Sequence, residues 1–142
     1  MFPVAGGSWD PKAHIARLVA EGKLPRAAVT AAEQLWRERL TAGVLMPNGE
    51  LAHVELSDLY HLLVDDRIWR KPERIERVLA SVFEIREAHS GRRKALSRWT
   101  EDAVQLFGYA ILEPDSRVRT IHLLDQRGER KHRRKGRVLW RP

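Results

Sequence analysis

The sequence predicts an α+β fold in which N-terminal helices pack on one face of a small antiparallel β-sheet of about four strands. Apolar residues recur every three to four positions up to residue 81 and alternate with polar residues from there on. The alternating segments follow one another with short connections, which favours sequential antiparallel pairing. We expect one domain over residues 1–142, made of a helical extension (1–50), an α+β core (51–125) and a basic C-terminal tail (126–142).

Caps and stops delimit the helices. Asp10 and Pro11 open the first helix and Gly22 ends it, while a second helix runs from about Pro25 to Ala42. Three further signals predict a hairpin turn and the starts of two shorter helices, at Asn48-Gly49, Ser57 and Lys71-Pro72-Glu73.

Four segments have the alternation of strands: VFEIREA, RKALSRWT, FGYAILE and RVRTIHLLD. In the first, Phe83 and Ile85 should share one face, with Glu84 and Arg86 on the other. In the last, Thr120 and His122 should share a face. The short segment GRVLW at 136–140 is expected to be an edge strand or a docked tail. One face of the sheet would then be open to hold a site.

The net charge of +7 is concentrated at the C-terminal end. Residues 113–142 contain ten Lys or Arg against four Asp or Glu, whereas residues 1–112 contain sixteen against fifteen. Such an end favours a polyanionic partner, above all RNA, through neutralisation of phosphates. A solvated basic tail without a specific partner is the alternative.

Several classes of protein are disfavoured by what the sequence contains. The absence of cysteine excludes disulfides, thiolate zinc sites and a thiol nucleophile. Neither a long apolar run nor a signal-like start is found, so we expect a cytoplasmic protein that does not bind membranes. The sequence also lacks phosphate-binding loops, dinucleotide-binding turns and nucleophile elbows.

The remaining polar inventory suits cleavage of RNA without a metal or cofactor. A histidine can take the proton from a ribose 2′-hydroxyl, an acid can protonate the leaving oxygen, and arginine can stabilise the charged phosphate. The candidate catalytic residues are His61, Arg67, Arg86, Arg98, Thr120 and His122. The candidate RNA-binding residues are Trp69, Trp99, Arg127, Arg130, Lys131, Arg133, Arg134 and Lys135. The two tryptophans either stack on bases or pack in the core. His14 and His132 are expected to be solvent-exposed.

The stretch from about residue 53 to 125 resembles the nuclease superfamily that unites barnase, EndoU, the colicin-type tRNases and RelE, and is closest to its phage-associated branch. A helix carrying His61 precedes the segment Pro72-Glu73-Arg74-Ile75-Glu76-Arg77-Val78-Leu79, which matches a Pro-Glu-x-Ile-x-x-x-Leu pattern of that branch. The strand segments follow in the same order.

The resemblance implies a metal-independent endoribonuclease of toxin or effector type. It implies RNA as substrate, with tRNA as one class, and a cognate antitoxin or immunity protein as partner. His61 and Arg67 would be the helical basic residues, Arg86 or Arg98 the strand basic residue, and Thr120 the hydroxyl residue. A non-catalytic protein that binds nucleic acid or another protein through the basic surface remains the alternative.

Overall fold

The computed structural model describes residues 9–142, which form six α-helices and seven strands. The helices are α1 (Pro11–Ala20), α2 (Arg26–Leu35), α3 (Leu56–Leu62), α4 (Asp66–Trp69), α5 (Arg74–Ala80) and α6 (Gln126–His132). The strands are β1 (Val44–Leu45), β2 (Leu51–Ala52), β3 (Val82–Glu87), β4 (Arg93–Glu101), β5 (Val104–Leu112), β6 (Val118–Leu124) and β7 (Val138–Trp140).

The predicted α+β class is confirmed, with one strand more than expected. The main sheet has the order β6-β5-β4-β3-β7 and is antiparallel throughout. The fifth strand is β7, which lies in the segment expected to be an edge strand or a docked tail. It is an edge strand that pairs with β3, with Arg86 opposite Val138. The inner face of this sheet packs on the N-terminal helices around a core that includes Ile85 and Ile121. We call the opposite side the outer face.

Capping residues in the N-terminal half of the sequence account for most of the observed helix ends. Asp10 accepts a hydrogen bond from the Lys12 amide, as an N-cap should. Helix α3, however, starts one residue earlier than expected and is capped by Glu55 with Asp58 in a capping box, not by Ser57. The segment around Arg67 forms the one-turn helix α4.

A β-bulge corrects the predicted face of Phe83, while Glu84 and Arg86 lie opposite Ile85 as expected. Val82 pairs with Ser97 and Glu84 with Leu96, so Phe83 is an extra residue without a partner. The Arg98 guanidinium lies 4.2 Å from the centre of the Phe83 ring, which places Phe83 on the outer face beside Glu84. Ile85 alone of the expected pair therefore enters the core.

The basic C-terminal segment, expected to be a tail, folds back over the outer face. Asp125 caps α6 by accepting a hydrogen bond of 2.6 Å from the Gly128 amide. Gly136, at a φ of 83°, then turns the chain into β7. A β-carbon at this position would lie 2.2 Å from the Glu87 carbonyl oxygen, so only glycine fits.

A partly buried ion pair fixes the sheet against the helices. Arg117, at the start of β6, donates hydrogen bonds of 2.9 and 2.8 Å to the two carboxylate oxygens of Asp58 on α3. Asp58 is itself buried and also accepts a bond from the Glu55 amide. The bidentate geometry sets the distance between α3 and β6, the two elements that flank the region described below.

We predict that Gly136→Ala destabilises the protein far more than Gly22→Ala. Both glycines have a positive φ, but no atom lies within 4 Å of the β-carbon that Gly22→Ala would add. Gly22→Ala should therefore cost only the backbone strain, about 1 kcal/mol, whereas Gly136→Ala must also displace β7 from β3. Urea unfolding of both variants measures the difference, and equal losses would contradict this role of Gly136.

Candidate active site

The pairing register arranges the outer-face side chains in rows across the sheet. One row contains Thr120, Ile111, Lys94 and Arg86, taken from β6 to β3. The next contains His122, Tyr109, Leu96 and Glu84 in the same order. Residues opposite one another in paired strands lie on the same face, so all eight side chains belong to the outer face.

A cavity of about 560 Å³ opens on this surface beside α6. Lys94, Tyr109 and Thr120 contribute to it from the sheet, and His132 contributes from α6. Nζ of Lys94 lies 3.2 Å from Nδ1 of His132. A charged lysine can only donate, so Nδ1 accepts and the ring proton of neutral His132 is assigned to Nε2.

Tyr109 lies between two histidines. The centre of its ring is 4.6 Å from that of His132 and 5.2 Å from that of His122. Burial raises the pKa of Tyr109, so its hydroxyl remains a neutral donor at physiological pH. Contact with Tyr109 thus brings two histidines from different elements into one region, His122 from β6 and His132 from α6.

Both histidines have a lowered pKa. Partial burial is the main cause for His122, and the positive charge of Arg67 adds to it, while the Asp65 carboxylate opposes the shift. Burial is also the main cause for His132, followed by the charges of Lys94 and Lys135. Both rings are therefore mainly neutral at pH 7 and can accept a proton.

Lys94 is a buried lysine that, within residues 9–142, has no carboxylate in hydrogen-bond contact. Only 7% of the residue is exposed, and its contact in the cavity is His132. Burial lowers the pKa of Lys94, and the nearby charges of Arg86 and Lys135 lower it further. Since buried cations are normally paired, this lysine has donor capacity that a bound anion can use.

A second cavity, of about 410 Å³, lies on the other side of Thr120 and contains His61. Arg119 and Thr120 line both cavities, so the two are neighbours. The His61 ring on α3 contacts the exposed Trp9 edge-on, with 5.4 Å between ring centres. His61 is close enough for its charge to affect the pKa of His122.

Arg67 also lies beside His122, but most of its donors are already used. It forms an ion pair with Asp65 at 3.1 Å and donates a hydrogen bond of 3.3 Å to the Leu123 carbonyl. The structure thus brings His61, Arg67, Thr120 and His122 together at the β6 edge. Thr120 Oγ1 lies 3.4 Å from Nε2 of His122 and orients that ring.

The other predicted catalytic and stacking residues lie elsewhere or are occupied. Arg86 lies three strands from Thr120 and is bound to Glu84 and the Gly136 carbonyl. Arg98 covers Phe83. Trp99 is only 6% exposed and belongs to the core, so it offers no ring face to a base. Trp69 is half-buried, and the Arg70 guanidinium lies 4.5 Å from its ring centre.

The predicted RNA-binding cations belong to α6 and the turn that follows it. A depression of about 430 Å³ is lined by Arg127, Arg130, Lys131, Arg134 and Lys135. Arg133 differs from these residues because it is half-buried and paired with the buried carboxylate of Glu129.

Three residues of the larger cavity, Lys94, Tyr109 and His132, were missed as site residues. Lys94 on β4 and Tyr109 on β5 lie at strand positions that alternate with core residues. That alternation is the signal in the sequence that could have placed them on the outer face. His132 was expected to be exposed but lies over Tyr109, because α6 folds back onto the sheet. No sequence pattern within the basic run indicates that contact.

We predict that Lys94→Met raises the pKa of His132 and leaves that of His122 nearly unchanged. The substitution removes a positive charge next to His132 while retaining a long apolar side chain. Lys94 is not among the groups that affect His122. NMR titration of the histidine ring protons measures both values, and an unchanged pKa of His132 would contradict the Lys94–His132 contact.

Residues 9–142 contain no group of three or more histidine or acidic side chains arranged to hold a metal ion. None of their helices has both the length and the apolar character needed to cross a membrane. Comparisons of the chain with protein families, with curated proteins and with solved structures find no match.

Proposed function

We propose that this protein is an endoribonuclease that cleaves RNA without a metal ion, by attack of a ribose 2′-hydroxyl on the adjacent phosphate. The observation that carries the proposal is the convergence of His122, Tyr109, His132 and Lys94 on one outer-face region. This region combines two histidine rings, which can act as base and acid, with the buried cation Lys94, which can stabilise a charged phosphate. The proposed reaction requires these groups.

His122 acts as the general base in the proposed reaction. Its lowered pKa keeps the ring neutral near pH 7, and Thr120 orients it. Neutral His122 takes the proton of the 2′-hydroxyl as that oxygen forms a bond to phosphorus. The exposed position of His122 on β6 leaves its ring accessible to a ribose.

His132 acts as the general acid. The Lys94 ammonium donates to Nδ1, which leaves the Nε2 proton for the leaving 5′-oxygen as the bond from phosphorus to that oxygen breaks. Lys94 resupplies a proton to Nδ1 through the same contact. The products are a 2′,3′-cyclic phosphate and a free 5′-hydroxyl. Tyr109 and Lys94 donate to the non-bridging oxygens, where negative charge develops.

The surrounding charge supports an RNA substrate. The exposed cations of α6 lie next to the cavity, and Lys135 lines both the cavity and the α6 depression. Contacts with phosphates give affinity that is independent of sequence and falls with salt. Such a surface also suits a non-catalytic RNA-binding protein, and the assay below separates the two functions.

We predict that the purified protein cleaves total RNA in excess EDTA and that His122→Ala and His132→Ala each slow cleavage at least about a hundredfold. His14→Ala is the matched control, because it removes the same type of side chain from α1, where His14 lies beside Arg17. A substrate with 2′-deoxyribose at the cleaved position should remain intact. Salt-sensitive binding without cleavage would favour the non-catalytic function, and full activity of both histidine variants would reject this site.

We predict a bell-shaped pH profile of kcat/KM whose acidic limb has its midpoint below about pH 6.5, the ordinary pKa of histidine. The pKa of His122 is lowered, so this base becomes neutral at lower pH than free imidazole. The alkaline limb follows loss of the proton that Lys94 supplies to His132, and burial lowers the pKa of Lys94 as well. A midpoint of the acidic limb above pH 7 would contradict the assignment.

A further inference from the structure

A separate small cavity of about 240 Å³ lies where α6, β3 and the chain end after β7 meet. Its lining consists entirely of arginine, contributed by Arg86, Arg130, Arg133, Arg134 and Arg141. These five residues come from three parts of the sequence, so the cavity forms only in the folded chain.

A buried carboxylate holds two of these arginines in place. Glu84 is 3% exposed and accepts a hydrogen bond from Nε of Arg86 and another, of 2.6 Å, from Nε of Arg141. Because both contacts use Nε, they fix the direction of each guanidinium. Within residues 9–142, the two terminal nitrogens of Arg141 donate no hydrogen bond, so they remain available to a ligand.

The cavity carries an excess of positive charge. Glu84 and Glu129 are the carboxylates paired with its arginines. Five guanidinium groups against two carboxylates leave three positive charges in a small volume. Arg130 and Arg134 form no ion pair within the described part of the chain. Like charges brought this close repel one another unless an anion neutralises them.

The cavity is next to the proposed active site. Arg86 is the direct pairing partner of Lys94 in the sheet, and its charge lowers the pKa of Lys94. A strand of RNA whose cleaved phosphate contacts Lys94 would therefore carry a neighbouring phosphate towards these arginines.

We propose that this arginine cavity binds a phosphate group of the RNA strand, at a backbone position adjacent to the cleaved one. The identification of RNA as the ligand rests on the proposed function. Planar guanidinium groups match the oxygens of a phosphate in paired hydrogen bonds, which lysine cannot do. The α6 depression, which shares Arg130 and Arg134 with the cavity, continues the basic path for further phosphates of the same strand.

The test measures binding separately from cleavage. The probe is a short, fluorescent, single-stranded 2′-O-methyl oligonucleotide, which lacks the attacking hydroxyl. Its Kd is measured by fluorescence anisotropy over a series of salt concentrations. Arg130→Ala and Arg141→Ala alter the cavity, and Arg127→Ala removes the same charge from α6 outside it. Urea unfolding checks that each variant is folded.

We expect Arg130→Ala and Arg141→Ala each to weaken binding about tenfold and to reduce the salt slope by about 0.7, and Arg127→Ala to have a clearly smaller effect. Equal effects of all three variants would overturn the cavity as a site and indicate only diffuse attraction. Cleavage of RNA by the wild-type protein alongside that result would leave the proposed function intact.

Two further outcomes separate the ligand classes. Binding of the probe with the expected variant pattern, but no cleavage of RNA, would support the phosphate site while rejecting the nuclease. Vesicles of phosphatidylserine are the second probe. Binding to vesicles that depends on Arg130 and Arg141, without binding to the oligonucleotide, would overturn RNA as the ligand.

Discussion

The pairing of β4 with both of its neighbours is the constraint on which the two faces of the sheet depend. In β4, Ala95 and Trp99 enter the core, while Lys94 and Arg98 lie on the outer face. Strands β3, β5 and β6 take their faces from this strand through the ladder of hydrogen bonds. A shift of one residue in β4 would exchange core and site across the whole sheet. The buried side chains on the inner face make such a shift costly, so the same apolar contacts that stabilise the fold also keep the polar groups together.

The bulge at Phe83 extends this arrangement to β3. It turns the Phe83 side chain to the outer face beside Glu84, while Val82 and Ile85 on either side enter the core. A buried carboxylate normally has a raised pKa, but the two arginines bound to Glu84 overcome the effect of burial and keep its pKa below the usual value. Glu84 thus remains charged and compensates part of the local positive charge.

Helix α6 connects the basic segment with the sheet. Its inner side brings His132 onto Tyr109 and buries Glu129, and its outer side exposes a series of cations. One short element therefore contributes to the histidine region, to the arginine cavity and to the depression on the surface. This explains why the charge excess of residues 113–142 is not spread over a loose tail. It is held against the outer face by the cap at Asp125 and by the pairing of β7.

The α+β class, the helical first half and the sharing of a face by Thr120 and His122 could be predicted from the sequence, because these depend on local periodicity and caps. The sequence could not locate the bulge at Phe83, since two-residue alternation assumes an uninterrupted ladder. It left open whether Trp99 is buried and did not reveal that Arg98 is occupied by Phe83, because both depend on which neighbour a strand acquires. The contacts of Lys94 with His132, of Arg86 with the Gly136 carbonyl and of Arg141 with Glu84 join residues 38 to 57 positions apart. These contacts form only in the folded protein, because the return of α6 and β7 onto the sheet is driven by packing between distant segments and leaves no periodic trace in the sequence.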